Sequence, residues 1–210
     1  MIWLSETTGF PDPIFANKDG LLAVGGDLSA QRLCNAYENG IFPWYNSEDP
    51  ILWWSPDPRM VLFPSELHVS KSMKKLLKDQ AFELTYNKAF EQVIHQCSSV
   101  TRFGQDGTWL GKEMIQAYLE LHQLKIAHSV EVWQEDRLVG GFYGVRVGNI
   151  FCGESMFSLV SNASKYGFIS FVKNSPDIKL IDCQVYSNHL ASLGAREIPR
   201  EEFLKILKTN

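Results

Sequence analysis

No two cysteines stand at Cys-x-x-Cys spacing: the four, Cys34, Cys97, Cys152 and Cys183, lie far apart. That argues against a zinc ribbon or a small disulfide scaffold and leaves free thiols in a reducing compartment as the expectation. No apolar stretch approaches the roughly 20 residues needed to cross a bilayer. The opening Met1-Ile2-Trp3-Leu4-Ser5-Glu6 lacks the basic region and apolar run of a secretion signal. A soluble, cytoplasmic protein with no membrane contact is therefore expected. Positive charge is also short, since 20 Lys and Arg face 24 Asp and Glu. Nucleic acid would have to be met by a local basic patch and not by an overall field.

Proline is nearly absent from the later chain: seven of nine prolines fall at or before position 64, with four of the six tryptophans. This sets a turn-rich N-terminal region, 1–65, apart from a more regular 66–210, with a boundary near 62–70. No Gly/Ser linker joins them, so the two parts are expected to pack firmly. What is present is core material, 45% hydrophobic with 12% aromatic residues, enough over 210 residues for a small domain packed on a medium one.

Local signals place the elements. Asp27-Leu28-Ser29 caps a helix stopping at Gly40, with Leu33, Ala36 and Tyr37 on one face. Pro43, Pro50, Pro56 and Pro58 allow only short extended pieces through Trp53-Trp54-Ser55-Pro56-Asp57-Pro58-Arg59. Ser70 caps a short basic helix; further helices are expected near 88–99 and 111–125. Val130 and Val132 alternate with Glu131 and Trp133, and turns at Glu135-Asp136 and Gly148-Asn149 make an antiparallel meander. Asn162 caps a helix to about Lys173, followed by a strand over Lys179–Val185, a short helix ending at Gly194 and a last one after Pro199. The expected class is α+β, with a mainly antiparallel sheet, and the order resembles the GNAT-type acyltransferase core.

Three segments combine polar side chains with apolar strands: Gly153-Glu154-Ser155-Met156-Phe157-Ser158, Asp182-Cys183-Gln184, and His189-Leu190-Ala191-Ser192-Leu193-Gly194-Ala195. A buried polar group without a partner costs a few kcal/mol, so Asp182 and Gln184 beside Leu180-Ile181 must be paired. A strand period of two puts them on one face, where the acid can fix the amide and leave its carbonyl free for an incoming amine. Satisfying backbone at a strand end would account for them equally well, and Glu154 alone would pass for a solvated side chain.

The series Gly25-Gly26-Asp27-Leu28, Gly40-Ile41-Phe42-Pro43-Trp44, Trp53 to Arg59, Thr108-Trp109, Ala127-His128-Ser129-Val130-Glu131, Gly153 to Ser158, Asn162-Ala163-Ser164-Lys165 and Asp182-Cys183-Gln184 resembles, in order, the leucyl/phenylalanyl-tRNA–protein transferases. The resemblance spans roughly residues 18–200. It implies transfer of Leu, Phe or Met from aminoacyl-tRNA to proteins beginning with Arg or Lys, by a monomer, without metal or cofactor. It further implies that Gln184 accepts from the attacking amine, that Asp182 orients it, and that Glu154 favours a basic N-terminus. Phe142, Phe151, Met156, Phe168, Phe171 and Ile181 would form the apolar donor pocket. Phe142 and Phe168 depart from the Met and Leu of a well-known form of the family, which implies a tighter pocket that prefers Leu. Trp44 and Trp109 would stack on the terminal adenosine, whereas Trp53 and Trp54 read as core anchors. Lys71, Lys74, Lys75 and Lys78 share one helical face and would hold the acceptor stem, with Asp79 standing where a basic residue is expected. Lys125 replaces a family Gly after the helix ending in His122-Gln123-Leu124, which leaves that helix stop open. Any contact made by the tail of longer forms would be absent or replaced beyond Asn210.

Three other classes remain on sequence grounds. A CoA-dependent acetyltransferase needs a Gly-rich turn at a helix start, and Ser158-Leu159-Val160-Ser161 offers no glycine. A non-catalytic RNA-binding module would use the lysine helix and exposed tryptophans. A cysteine hydrolase would need Cys183 and His189 in contact.

Overall fold

The computed structural model describes residues 2–5, 7–46, 48–99 and 110–209. Its strands are β1 (Ile2–Leu4), β2 (Leu21–Gly25), β3 (Phe42–Pro43), β4 (Leu52–Trp54), β5 (Arg59–Leu62), β6 (Glu83–Tyr86), β7 (Ala127–Gln134), β8 (Arg137–Val147), β9 (Ile150–Ser158), β10 (Leu180–Gln184) and β11 (Arg196–Ile198). The helices are α1 (Ala30–Glu38), α2 (Lys71–Lys78), α3 (Phe90–Ser99), α4 (Lys112–Gln123), α5 (Ala163–Asn174), α6 (Asn188–Ala191) and α7 (Arg200–Lys208). They form two sheets, ordered β1-β2-β4-β3 and β11-β5-β10-β9-β8-β7-β6. Every pair in the larger sheet is antiparallel except β9 with β10. The α+β expectation holds.

Local chemistry explains the ends. Ser29 Oγ accepts from the Arg32 N–H and Ser70 Oγ from the Met73 N–H, so both helices start where a hydroxyl satisfies an open donor. Lys125 does the work of the missing glycine by taking φ +61°, and the N–H of Ile126 returns to the Leu121 carbonyl to close α4. Glu135 and Asp136 both take positive φ, the turn that suits the twist between β7 and β8. Asn162 departs from its expected part: it is left-handed with no side-chain cap, and the Ser158 hydroxyl accepts from the Ser164 N–H instead.

The larger sheet reaches back into the proline-rich region. β5, which precedes the expected 62–70 boundary, lies between β10 and β11. One core joins both regions, from Leu22, Tyr37 and Trp53 to Tyr118, Tyr143 and Phe157; a second lies under α2 and α5, around Met73, Phe142, Phe151 and Phe168. Glu131 keeps the polar phase of its strand, but that phase is buried too. It is fully buried and accepts from the hydroxyls of Ser129 and Thr85, which supply the partners an interior carboxylate needs.

Candidate active site

β9 and β10 pair in parallel only from Leu180↔Ile150 to Asp182↔Cys152. Beyond that point β9 continues against β8 alone, and β10 turns away. The cause is a bulge: opposite β5, Asp182 faces Val61 and Gln184 faces Met60, leaving Cys183 without an opposite number. Gln184 takes φ +65°, and the N–H of Val185 closes a three-residue turn on the Cys183 carbonyl at 2.8 Å. A left-handed glutamine costs about 1–3 kcal/mol, so its surroundings must impose it. A cavity of about 550 Å³ opens where the strands part.

At its polar end, Asp182 and Arg59 form a bidentate ion pair at 2.8 and 2.7 Å, each 1% exposed. Asp182 Oδ1 also accepts from the backbone N–H of Gln184 at 2.9 Å. The acid thus grips the Gln184 backbone and not its amide, contrary to the sequence expectation, because the bulge turns the side chain toward β9. There Gln184 Nε2 donates to Glu154 Oε1 at 2.7 Å, a side-chain link across the gap where the backbone ladder has stopped. Gln184 lines the cavity, and its Oε1 has no hydrogen-bond partner among the described residues. Glu154 Oε2 accepts from Tyr118 Oη at 2.8 Å, and Tyr37 Oη lies 2.5 Å from Tyr118 Oη. With the Tyr118 proton committed to Glu154, the Tyr37 hydroxyl donates to Tyr118. Burial pushes the Glu154 carboxyl up to about 7; the nearby Asp182 charge adds to this, while the Tyr37 hydroxyl close by and the hydrogen bonds from Tyr118 and Gln184 pull it back.

Much of the remaining cavity wall is apolar. Phe142, Phe151, Met156, Phe168 and Ile181 all line it, as expected, and Trp44 lines the same cavity. Phe171 does not. It forms a second row, with its ring 4.7 Å from that of Phe151 and 5.5 Å from that of Phe142, and borders a separate cavity of about 260 Å³ with His128 and Arg146. Trp109 lies outside the described residues. Trp53 is fully buried, its indole N–H donating to Gly25, and the half-buried Trp54 donates to the Trp44 carbonyl at 2.6 Å, a bond that steadies the loop carrying Trp44.

Comparison with known proteins bears on this arrangement. Residues 61–208 match the model of the leucyl/phenylalanyl-tRNA protein transferase family, and 26–57 match the N-terminal domain of the same family. A leucyl/phenylalanyl-tRNA–protein transferase of Flavobacterium johnsoniae is 56% identical over 211 residues, covering 100% of both chains. One from Pectobacterium carotovorum is 57% identical over 97% of this chain and 87% of its own. The chain belongs to the leucyl/phenylalanyl-tRNA protein transferase family.

The lysines proposed from sequence lie on the solvent side of α2. Lys71, Lys74, Lys75 and Lys78 are exposed on α2, while Met73, Leu76 and Leu77 on its other side pack into the core that holds Phe142, Phe151 and Phe168. Three residues at the polar end were not singled out for chemistry. Tyr37 and Tyr118 read as the inward faces of amphipathic helices, which they also are. Arg59 stands at the end of the Trp53 to Arg59 segment, and an arginine leading directly into the apolar Met60-Val61-Leu62 was the available signal that a buried acid must answer it. The hydrolase alternative fails on geometry and electrostatics. Cys183 makes its contact with the Ile181 carbonyl, and burial with the adjacent Asp182 charge drives its thiol pKa far up, so no thiolate is available.

Proposed function

We propose that this protein joins leucine, phenylalanine or methionine, carried as an ester on tRNA, to the α-amine of proteins that begin with Arg or Lys, marking them for degradation. The observation that carries the reading is one cavity lined both by the apolar Phe142, Phe151, Met156, Phe168 and Ile181 and by Gln184, whose side-chain carbonyl takes no hydrogen bond among the described residues. The aromatic wall takes the donor side chain. Trp44 offers a ring for the terminal adenosine, where stacking contributes about 1–3 kcal/mol. Trp109 is proposed as its partner, and the α2 lysines as the acceptor-stem contact. The parting of β9 from a parallel β10 is what supports a GNAT-like reading of the larger domain.

The chemistry asks for placement more than for activation, because an aminoacyl ester is already reactive. The amine nitrogen attacks the ester carbonyl carbon; the new C–N bond forms as the C–O bond to the ribose breaks. The amine gives up one proton and the ribose oxygen gains one. Gln184 Oε1 accepts a hydrogen bond from the amine and directs its lone pair, while Glu154, by holding Nε2, keeps the amide from rotating. The charge on Glu154 also favours an acceptor with a basic first residue. Orientation of this kind can supply up to about 7–11 kcal/mol of barrier reduction. Incubating the protein with labelled Leu-tRNA and peptides beginning with Arg, Lys or Ala tests the reading. Product from the first two alone is expected, and product from none, or equally from all three, would overturn it.

A further inference from the structure

We infer that Arg59 is a positioning residue for transfer: acting through Asp182, it holds the Gln184 backbone in the turn that parts β10 from β9 and keeps Gln184 in the cavity wall. This rests on reading that cavity as the transfer site.

The guanidinium touches no reacting atom, since Arg59 does not line the cavity. Its influence passes through one oxygen: Asp182 Oδ1 accepts from Arg59 Nε at 2.8 Å and from the Gln184 N–H at 2.9 Å. Whatever fixes the guanidinium therefore fixes the Gln184 amide plane. Two aromatic rings from distant parts of the chain do so, with the Arg59 carbon 4.8 Å from the Phe42 ring centre and 4.7 Å from that of Phe203 on α7. Close approach of α7 requires Gly40, at φ +71°, where a Cβ would lie 2.6 Å from Leu204 and 3.0 Å from Phe203. The strand that carries Arg59 is also the one against which the bulge is measured, Met60 standing opposite Gln184. Without the latch, the extended backbone that glutamine prefers would draw β10 back toward β9.

Lysine keeps the charge but is a single point donor and cannot span both carboxylate oxygens in one plane. Arg59→Lys thus separates charge from geometry. Amide hydrogen exchange at Gln184 and Val185 is expected to speed up about tenfold or more in Arg59→Lys, with the amides of β7 and β8 unchanged. Single-turnover transfer from Leu-tRNA should slow about tenfold while the KM for Leu-tRNA stays within about twofold. Combining Arg59→Lys with Asp182→Asn should be no slower than Asp182→Asn alone, because the two act in one line. If Asp182→Asn does not fold, the exchange pattern of Arg59→Lys decides. Unchanged exchange at Gln184 and Val185, loss of protection spread evenly over the sheet, or effects that multiply in the double variant would overturn the role. A wild-type protein that makes no Leu-peptide would overturn the transfer reading and this role together, whereas wild-type product with an unaltered Arg59→Lys overturns this role alone.

Discussion

The seam between β8 and β9 stays paired from Val147↔Ile150 to Gly140↔Ser158, whereas the seam between β9 and β10 stops at Cys152↔Asp182. Both seams share β9, so the difference lies in what stands on the far side. β8 reaches β9 by a two-residue turn at Gly148-Asn149, where Gly148 takes φ +55°. A hairpin of this kind sets its own register. β10 arrives after α5, and its direction is set by contacts from distant strands: Arg59 grips Asp182, and the bulge at Cys183 turns Gln184 out of line. The continuous seam supplies rigidity and the interrupted one supplies a cavity. Gly144 pairs with Gly153 where the intact seam itself shifts register, beside the point at which the other seam opens. A site built on strands in this way is held more firmly than one built on loops alone.

The largest effect should come from stripping the interrupted seam of its anchor. Asp182→Ala leaves the Arg59 charge buried and unpaired, which destabilises by about 3–5 kcal/mol. Thermal or urea unfolding should register that loss, and a change below about 1 kcal/mol would mean that water reaches the pair and that the two seams differ less than their burial implies.

Glu154 sharpens the comparison by pH. Its carboxyl is raised to about 7 from an ordinary value near 4.5, so the folded protein binds the proton more tightly than the unfolded chain does. The stability from this group is fully present below about 4.5 and is lost as pH rises through about 7. The hydrogen bonds accepted from Gln184 and Tyr118, in contrast, suit the ionised form. Transfer should therefore rise, and stability fall, over the same window. Glu154→Gln should remove both slopes; a wild-type pH profile of rate and melting temperature in that variant would count against Glu154 as the titrating group.

At the apolar end the expected effects are smaller. Phe142→Met with Phe168→Leu widens the wall, and relative transfer from Phe-tRNA over Leu-tRNA should increase about tenfold, within the range that one or two methylene-sized differences can deliver. An unchanged ratio would assign donor choice elsewhere. Smallest is the lysine face: Lys75→Glu should weaken tRNA binding and lower the slope of log affinity against log salt by at least about one, with the rate of bound donor unaffected.

The apolar lining of the cavity was expected only from the family resemblance; local rules were enough to read the helix starts at Ser29 and Ser70 and the turns at Glu135-Asp136 and Gly148-Asn149. Each depends on neighbours a few positions away. Features set by distant partners escaped. The β5 strand follows a run of prolines and looks like loop until β10 and β11 pair with it. Asp182 and Gln184 read as a regular strand, since a bulge leaves no composition signal and the residue that enforces it is 123 positions away. Buried Glu131 obeyed the polar phase of an alternating strand and lies inward because Thr85 and Ser129 are there to meet it. Phe171 shares the helical face of Phe168 but sits about one turn further along, behind Phe151.

The most direct measurement is single-turnover transfer by Gln184→Gly, a substitution that favours the left-handed turn and deletes the side chain with its amide. Charged Leu-tRNA should bind within about twofold of wild type, while peptide product forms about 100-fold more slowly or worse. Product at the wild-type rate would contradict the claim that the parted seam, with Gln184 lining it, is where the amine is received.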